Sequence, residues 1–373
     1  MASHPTLDPN DFAVRVSGER WKELNQDPHK PLLNRAIQAQ LAPGSVFKIV
    51  TATAMLEDHV PPEGFTTFCP GYASFFGRQY HCYVYYAKKG PKSHGVTNLH
   101  QAILQSCDVF FYTVGLRLGI DRLDYYASHF GLGHKTGIDL PAEEGGLMPS
   151  PAWVERVQHR KWYQGEVISV STGQGAVTTT PLQLARMIGG IASGGTFMQP
   201  HMLKDAPNVK EERFPISEHS VEEITDAMYG VVNEPHGTGG QLKLAGIELS
   251  GKSGTAQVIG YDKMALIKKE KKFEDNAWFV GYAPRRNPEI VVSVLVQESG
   301  KHGGEAAGPV VRDVIKAYYD KKNKKTEGQY TAEAKPPAPQ SKPISTKITG
   351  PRSALKPEDT DSATTRPVSE RER

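Results

Sequence analysis

Residues 288–299, PEIVVSVLVQES, constrain the fold of this chain more than any other stretch. A nearly continuous run of Val, Ile and Leu has no solvent face, so both sides must be covered, as for a strand in the middle of a sheet. Two further strand candidates precede it closely, LSGKSGTAQVIG (249–260) and NAWFVGYAP (276–284). A helix, AAGPVVRDVIKAYYDK (306–321), follows. Upstream, apolar residues recur at helical spacing in SVFKIVTATAMLEDH (45–59), directly after Pro43-Gly44. The stretch NLHQAILQSCDVFFYTVGLRLG (98–119) reads as one helix, or as two broken near Ser106. TPLQLARMIGGIAS (180–193), opened by a capping Thr-Pro, and VEEITDAMYGVVN (221–233) add two more. This mixture predicts an α+β fold, with helices packed on a largely antiparallel sheet.

At 373 residues the chain could hold one large domain or two. Composition changes at residue 321. Beyond it prolines recur, and after Tyr330 no aromatic residue follows, so 322–373 cannot bury enough apolar surface to offset its ordering entropy. The expected organisation is therefore one domain over 1–321 and a disordered Pro-rich tail over 322–373. A net charge of +3, with no basic stripe and no interleaved aromatics, argues against a nucleic-acid partner. The start, MASHPTLDPNDF, lacks the apolar core of a secretory signal, and no run of eighteen apolar residues exists. As written the chain is expected to be soluble, with MASH read as an expression scar on a protein that begins further upstream.

Three short patterns could carry chemistry. In Ser45-Val-Phe-Lys48 the helical spacing puts the lysine amine within reach of a serine hydroxyl, which is a weak nucleophile until a base takes its proton. The pattern alone is weak, since Ser353-Ala-Leu-Lys356 repeats it in the tail. Only the first copy has Pro-Gly before it and an apolar helix after it. In Ser106-Cys107-Asp108 a helix break would turn Ser106 and Asp108 into one cleft, as proton relay and lysine anchor. The plainer reading makes Asp108 a helix cap. In Lys252-Ser253-Gly254-Thr255, small hydroxyl residues on a strand edge could bind a carboxylate and turn a backbone N–H to an oxyanion. The plainer reading is an edge strand of small residues.

Found together and in this order, the three match the serine–lysine signature of penicillin-binding proteins and serine β-lactamases. The chain resembles class B penicillin-binding proteins of the elongation type (penicillin-binding protein 2). The stretches that carry the resemblance are NRAIQAQLAPGSVFKIVTATAMLE, HGVTNLHQAILQSCDVFFYTVGLRLGIDRL, STGQGAVTTTPLQLARMIGGIASGG, GKSGTAQV and NAWFVGYAPRRNPEIVVSVLVQES, spread over most of residues 30–318. The resemblance implies the transpeptidase fold, an antiparallel sheet flanked by helices plus an all-helical subdomain. It also implies D,D-transpeptidation of peptidoglycan stem peptides through a Ser45 acyl-enzyme, with β-lactams acylating the same serine. Lys48 would act as base for Ser45, and Ser106 and Lys252 would move the proton to the leaving amine. Asp108 would orient them. The N–H groups of Ser45 and Thr255 would form the oxyanion hole, and Ser253, Gly254 and Thr255 would bind the substrate's end. No organic cofactor is implied. A partner glycan polymerase of the SEDS family is implied, as is a native location on the periplasmic face of the bacterial inner membrane, with an anchor and pedestal missing from this chain. Asn276 departs from the family, where histidine is expected in many relatives.

The three cysteines, Cys69, Cys82 and Cys107, fall with His94 in one forty-residue region. Four soft ligands suit tetrahedral zinc, although the gaps exceed those of an ordinary knuckle. A Cys69–Cys82 disulfide with a buried Cys107 thiol is the alternative, and His81 and His100 also remain candidate ligands. The resemblance favours a structural zinc held by Cys69, Cys82, His94 and Cys107, since some elongation-type members carry a metal here. Rival functions on the same signature are a β-lactamase, a β-lactam sensor and a binding scaffold with a dead site. No E-x-x-L-N stretch of the class A β-lactamases is present, and all three motifs are intact.

Overall fold

The structure, a computed structural model, describes residues 1–13, 15–87, 92–257 and 274–326. A short 3-10 turn, Gly44–Phe47, runs straight into α1 (Lys48–Asp58). The long helical stretch does break where the sequence suggested, into α2 (Leu99–Leu104) and α3 (Asp108–His129). Asn98 and Gln101 form a capping box on α2. The second helix does not end at Gly119. That residue takes φ 77°, ψ 169°, and two helical segments meet there at a kink. Next come α4 (Pro181–Ala192), capped by Thr180 and Gln183 as its opening Thr-Pro implied, and α5 (Glu218–Asn233).

All three strand candidates form strands: β1 (Ser250–Ala256), β2 (Asn276–Ala283) and β3 (Ile290–Val296), antiparallel in that order. Val258, Ile259 and Gly260, read as the end of the first strand, lie outside the described residues. The Val run is not the middle strand, contrary to its reading. NAWFVGYA is, with every residue of β2 buried, whereas each residue of β3 keeps partial exposure. The physical reason is that α4 packs on β3, as does the last helix, α6 (Gly308–Thr326). Cover from helices calls for apolar residues on both faces of a strand, wherever it stands in the sheet. α6 also runs on to Thr326, past the compositional boundary at 321, and the rest of the tail lies outside the described residues.

One apolar cluster joins Val46, Phe47 and Ile49 at the start of α1 to Phe110, Phe111 and Val114 of α3 and to Trp278 and Phe279 of β2. Helices α1 and α3 pack against each other within it, which fixes the turns that carry Ser45 and Ser106 at their N-terminal ends. Their far ends are tied by polar bonds. At the end of α1, Asp58 Oδ2 accepts from Arg122 Nε at 2.5 Å, and Oδ1 accepts from the Tyr126 hydroxyl at 2.7 Å and from Arg122 Nη2. Among the described residues no helix is long and apolar enough to cross a membrane.

Desolvation pushes the Asp58 carboxyl up, but the bonds from Arg122 and Tyr126 outweigh it, and the group ends below the usual aspartate value. Its stabilisation is present above the unfolded-state value and fades as pH falls through the folded one. Asp58→Asn should lower unfolding free energy by about 1–2 kcal/mol at neutral pH. In urea titrations the gap between variant and wild type should close below about pH 4.

Candidate active site

Gly44 makes the turn before α1 possible. It sits at φ +53°, and a Cβ there would lie 2.5 Å from the Thr255 carbonyl oxygen, so only glycine lets the turn press against β1. The Gly44 N–H donates to the Gly173 carbonyl at 3.0 Å, and Gln174 Nε2 donates to the Thr255 carbonyl at 3.1 Å. Ser45 is thereby held beside Thr255. The two line one cleft of about 960 Å³ together with Ser106, Asp108 and Ser253. Within the described residues β1 has a strand partner on one side only, leaving an edge for the cleft.

Lys48 opens α1 and is wholly buried. Its amine donates to the Ser106 carbonyl at 2.8 Å, to Ser106 Oγ at 3.2 Å and to Asp108 Oδ1 at 2.7 Å. None of its bonds goes to the Ser45 hydroxyl, which the helical spacing alone would favour. A buried ammonium needs a counter-charge, and Asp108 supplies it.

Ser106 takes the left-handed conformation, φ +56°, between α2 and α3. This turn aims its hydroxyl between two amines, since Lys252 Nζ also donates to Ser106 Oγ at 2.9 Å. Asp108 is not the cap of α3. Cys107 occupies that position without a side-chain bond, while Asp108 Oδ2 accepts the Tyr83 N–H at 2.9 Å. Lys252, also wholly buried, donates to the Ser253 carbonyl at 2.9 Å. Burial first, and the nearby Lys48 cation second, push its amine well below the usual lysine range, and Asp108 pulls the other way. Of the two amines that flank Ser106, only Lys48 is bonded to a carboxylate.

Ser253, Gly254 and Thr255 follow along β1. Ser253 Oγ lies 2.7 Å from Thr238 Oγ1, and a Cβ at Gly254 would come 2.7 Å from the Pro43 carbonyl oxygen. Sequence reading missed Gln174, Thr238, Tyr83 and His302, which also line the cleft. A signal existed for two of them in the glycine-rich stretches HGTGG (236–240) and HGGE (302–305). A Cβ at Gly304 would meet the Thr238 carbonyl at 2.3 Å, so the two stretches must touch. Asn276 also finds an explanation, because Oδ1 accepts the N–H of Glu298 at 3.0 Å and ties the start of β2 to the exit of β3.

Cys69, Cys82, His94 and Cys107 come together behind Ser106 and Asp108. One ligand atom from each lies within 4.8 Å of all the others. All three thiols are buried and unpaired, so the alternative disulfide is not formed. His94 Nδ1 is 3.5 Å from both Cys69 Sγ and Cys82 Sγ, while among the described residues its buried Nε2 has no hydrogen-bond partner. Zinc at about 2.3 Å from sulfur and about 2.0–2.1 Å from nitrogen, at tetrahedral angles, sets S···N near 3.5 Å. The donor set fits. Bonds from the Cys107 and Cys82 thiols hold Cys69 well below the usual thiol value, whereas burial pushes Cys82 up. His81 and His100 stand outside the cluster, bonded to Tyr86 and Glu234 respectively.

A family model described as the penicillin binding protein transpeptidase domain matches residues 1–316. The chain belongs to the penicillin-binding protein transpeptidase family. Peptidoglycan D,D-transpeptidase MrdA of Acinetobacter baumannii is 36% identical over 324 residues, covering 82% of this chain and 47% of that protein. MrdA of Escherichia coli K12 is 34% identical over 329 residues, covering 84% and 51%. Among solved structures, Pseudomonas aeruginosa PBP2 in complex with WCK 5153 superposes with a TM-score of 0.74 at 32% identity, covering 85% of this chain and 70% of that one. The chain spans about half the length of these curated relatives. These likenesses bear out the expected family, fold class and elongation-type kinship.

With every thiol buried, a thiol reagent should react with none in the native protein and with three after denaturation. Recovery of a single thiol on denaturation would restore the Cys69–Cys82 disulfide.

Proposed function

We propose that this penicillin-binding domain is a serine D,D-transpeptidase that cross-links peptidoglycan stem peptides during cell elongation. The observation that carries the reading is the Ser106 hydroxyl bonded to both Lys48 and Lys252 in the cleft that holds Ser45. A nucleophile, two amines and a hydroxyl between them can move one proton in and one proton out during acyl transfer.

Ser45 Oγ attacks the carbonyl of the penultimate D-alanine, and the N–H groups of Ser45 and Thr255 hold the oxyanion. In the resting site the proton sits on Lys48, beside Asp108. It crosses through Ser106 to Lys252, and the emptied Lys48 amine takes the proton of Ser45. Collapse breaks the D-Ala-D-Ala amide, Ser106 and Lys252 protonate the departing amine, and an ester remains on Ser45. An amine of a neighbouring stem peptide then attacks that ester and frees the serine. Asp108 orients Lys48 and Ser106, and the hydroxyls of Ser253 and Thr255 receive the terminal carboxylate. A β-lactam follows the same first step, but its opened ring stays tethered to the ester.

We infer that Cys69, Cys82, His94 and Cys107 hold a structural zinc, supported by the 3.5 Å sulfur–nitrogen spacings. Bound there, the metal would neutralise the thiolates and add a closed four-ligand crosslink. Cys107 lies between Ser106 and Asp108, and Cys82 precedes Tyr83, whose N–H holds Asp108. Both halves of the relay are thus braced from behind. The substrate class points to the periplasmic face of the bacterial inner membrane, and a SEDS-family glycan polymerase is the natural partner.

A fluorescent penicillin should label wild type and leave Ser45→Ala dark. No labelling of wild type removes the enzyme reading, while rapid loss of the label points to a β-lactamase. Metal analysis should find about one zinc per chain, and chelation should lower the melting temperature by several degrees. No zinc would sink the metal assignment.

A further inference from the structure

His302 faces the same space as the two hydroxyls that the proposed function gives to the substrate's terminal carboxylate. Its Nδ1 lies 3.5 Å from Thr255 Oγ1. That distance is too long for a good hydrogen bond, so the groups stand side by side rather than satisfying each other. Among the described residues the ring makes no other hydrogen bond. Ser253 Oγ and Thr238 Oγ1 complete the wall, 2.7 Å apart. The deeper cations are already committed, Lys48 to Asp108 and Ser106, and Lys252 to Ser106 and the Ser253 carbonyl.

The backbone behind His302 cannot drift. A Cβ at Gly303 would come 2.0 Å from the Trp278 carbonyl oxygen and 2.5 Å from that of Gly254, so the segment lies directly on β1 and β2. Gln241 Nε2 donates to the Gly304 carbonyl at 2.7 Å from the other side. The ring stands edge-on to Tyr83 across the cleft, with centroids 6.1 Å apart. Fixed placement beside the Ser253 and Thr255 hydroxyls is what a preorganised binding group needs.

We propose that His302 is a substrate-binding residue that donates a hydrogen bond to the terminal carboxylate of the stem peptide, and to the carboxylate of β-lactams in the same place. It forms one subsite with Ser253 and Thr255. The assignment rests on the proposed function, because it takes acylation of Ser45 as given.

The test compares benzylpenicillin with its methyl ester, following Ser45 acylation by intact mass in wild type, His302→Ala and His302→Gln. Loss of a hydrogen bond to a charged group costs about ten-fold or more in rate. His302→Ala should therefore slow benzylpenicillin by that factor and leave the slower reaction of the ester within about two-fold of wild type. His302→Gln, which keeps a donor, should recover part of the loss. Equal slowing of acid and ester in His302→Ala means that the residue only supports the fold, and overturns the proposal. So does unchanged reaction with both. If wild type is acylated by neither compound, the proposed function itself fails and this assignment falls with it.

Discussion

A lysine amine with no exposure must be neutralised, and Lys48 imposes that demand on everything around it. Its 2.7 Å bond to Asp108 pulls the start of α3 against the start of α1. The same amine takes the Ser106 carbonyl and hydroxyl, so the residue between the two helices has to turn back on itself. The left-handed conformation at Ser106 is the backbone form of that turn. Lys252 then meets the hydroxyl from the opposite side. With one carboxylate for two buried amines, Asp108 pairs with Lys48, while burial and the nearby Lys48 cation hold the Lys252 amine well below the usual lysine range.

The same short turn explains why a cysteine sits between the two polar residues. Ser106 and Asp108 face the cleft, so the residue between them must face away, and there it meets Cys69, Cys82 and His94. Tyr83 joins the two regions through its N–H on Asp108 and its hydroxyl on the Gln105 carbonyl at 3.0 Å. The thiol cluster and the contacts of Lys48 with Ser106 and Asp108 therefore lie on two sides of one piece of backbone.

Much of this was legible in the residues because each motif carries a local cause. Pro43-Gly44 before an apolar helix announced the turn that carries Ser45, and the break at Ser106 showed where helical spacing falters. Thr180-Pro181 marked a helix start that the structure reproduces. What stayed hidden depends on contacts between distant segments. Sequence alone does not say that Lys48 turns to Asp108 rather than to Ser45, since that choice comes from burial. Nor does it separate β2 from β3 as the middle strand, because the helices covering β3 raise its apolar content as much as neighbouring strands would. His302 and Thr238 reach the site from segments whose only mark is neighbouring glycine.

The central claim is that acyl transfer happens on the serine that Gly44 presses against Thr255. Tryptic mapping of the protein after reaction with benzylpenicillin tests it most directly. Cleavage after Arg35 and Lys48 releases residues 36–48, AIQAQLAPGSVFK, and the account predicts the penicilloyl adduct there, on Ser45. An adduct on any other peptide, or none on a folded protein, would contradict it.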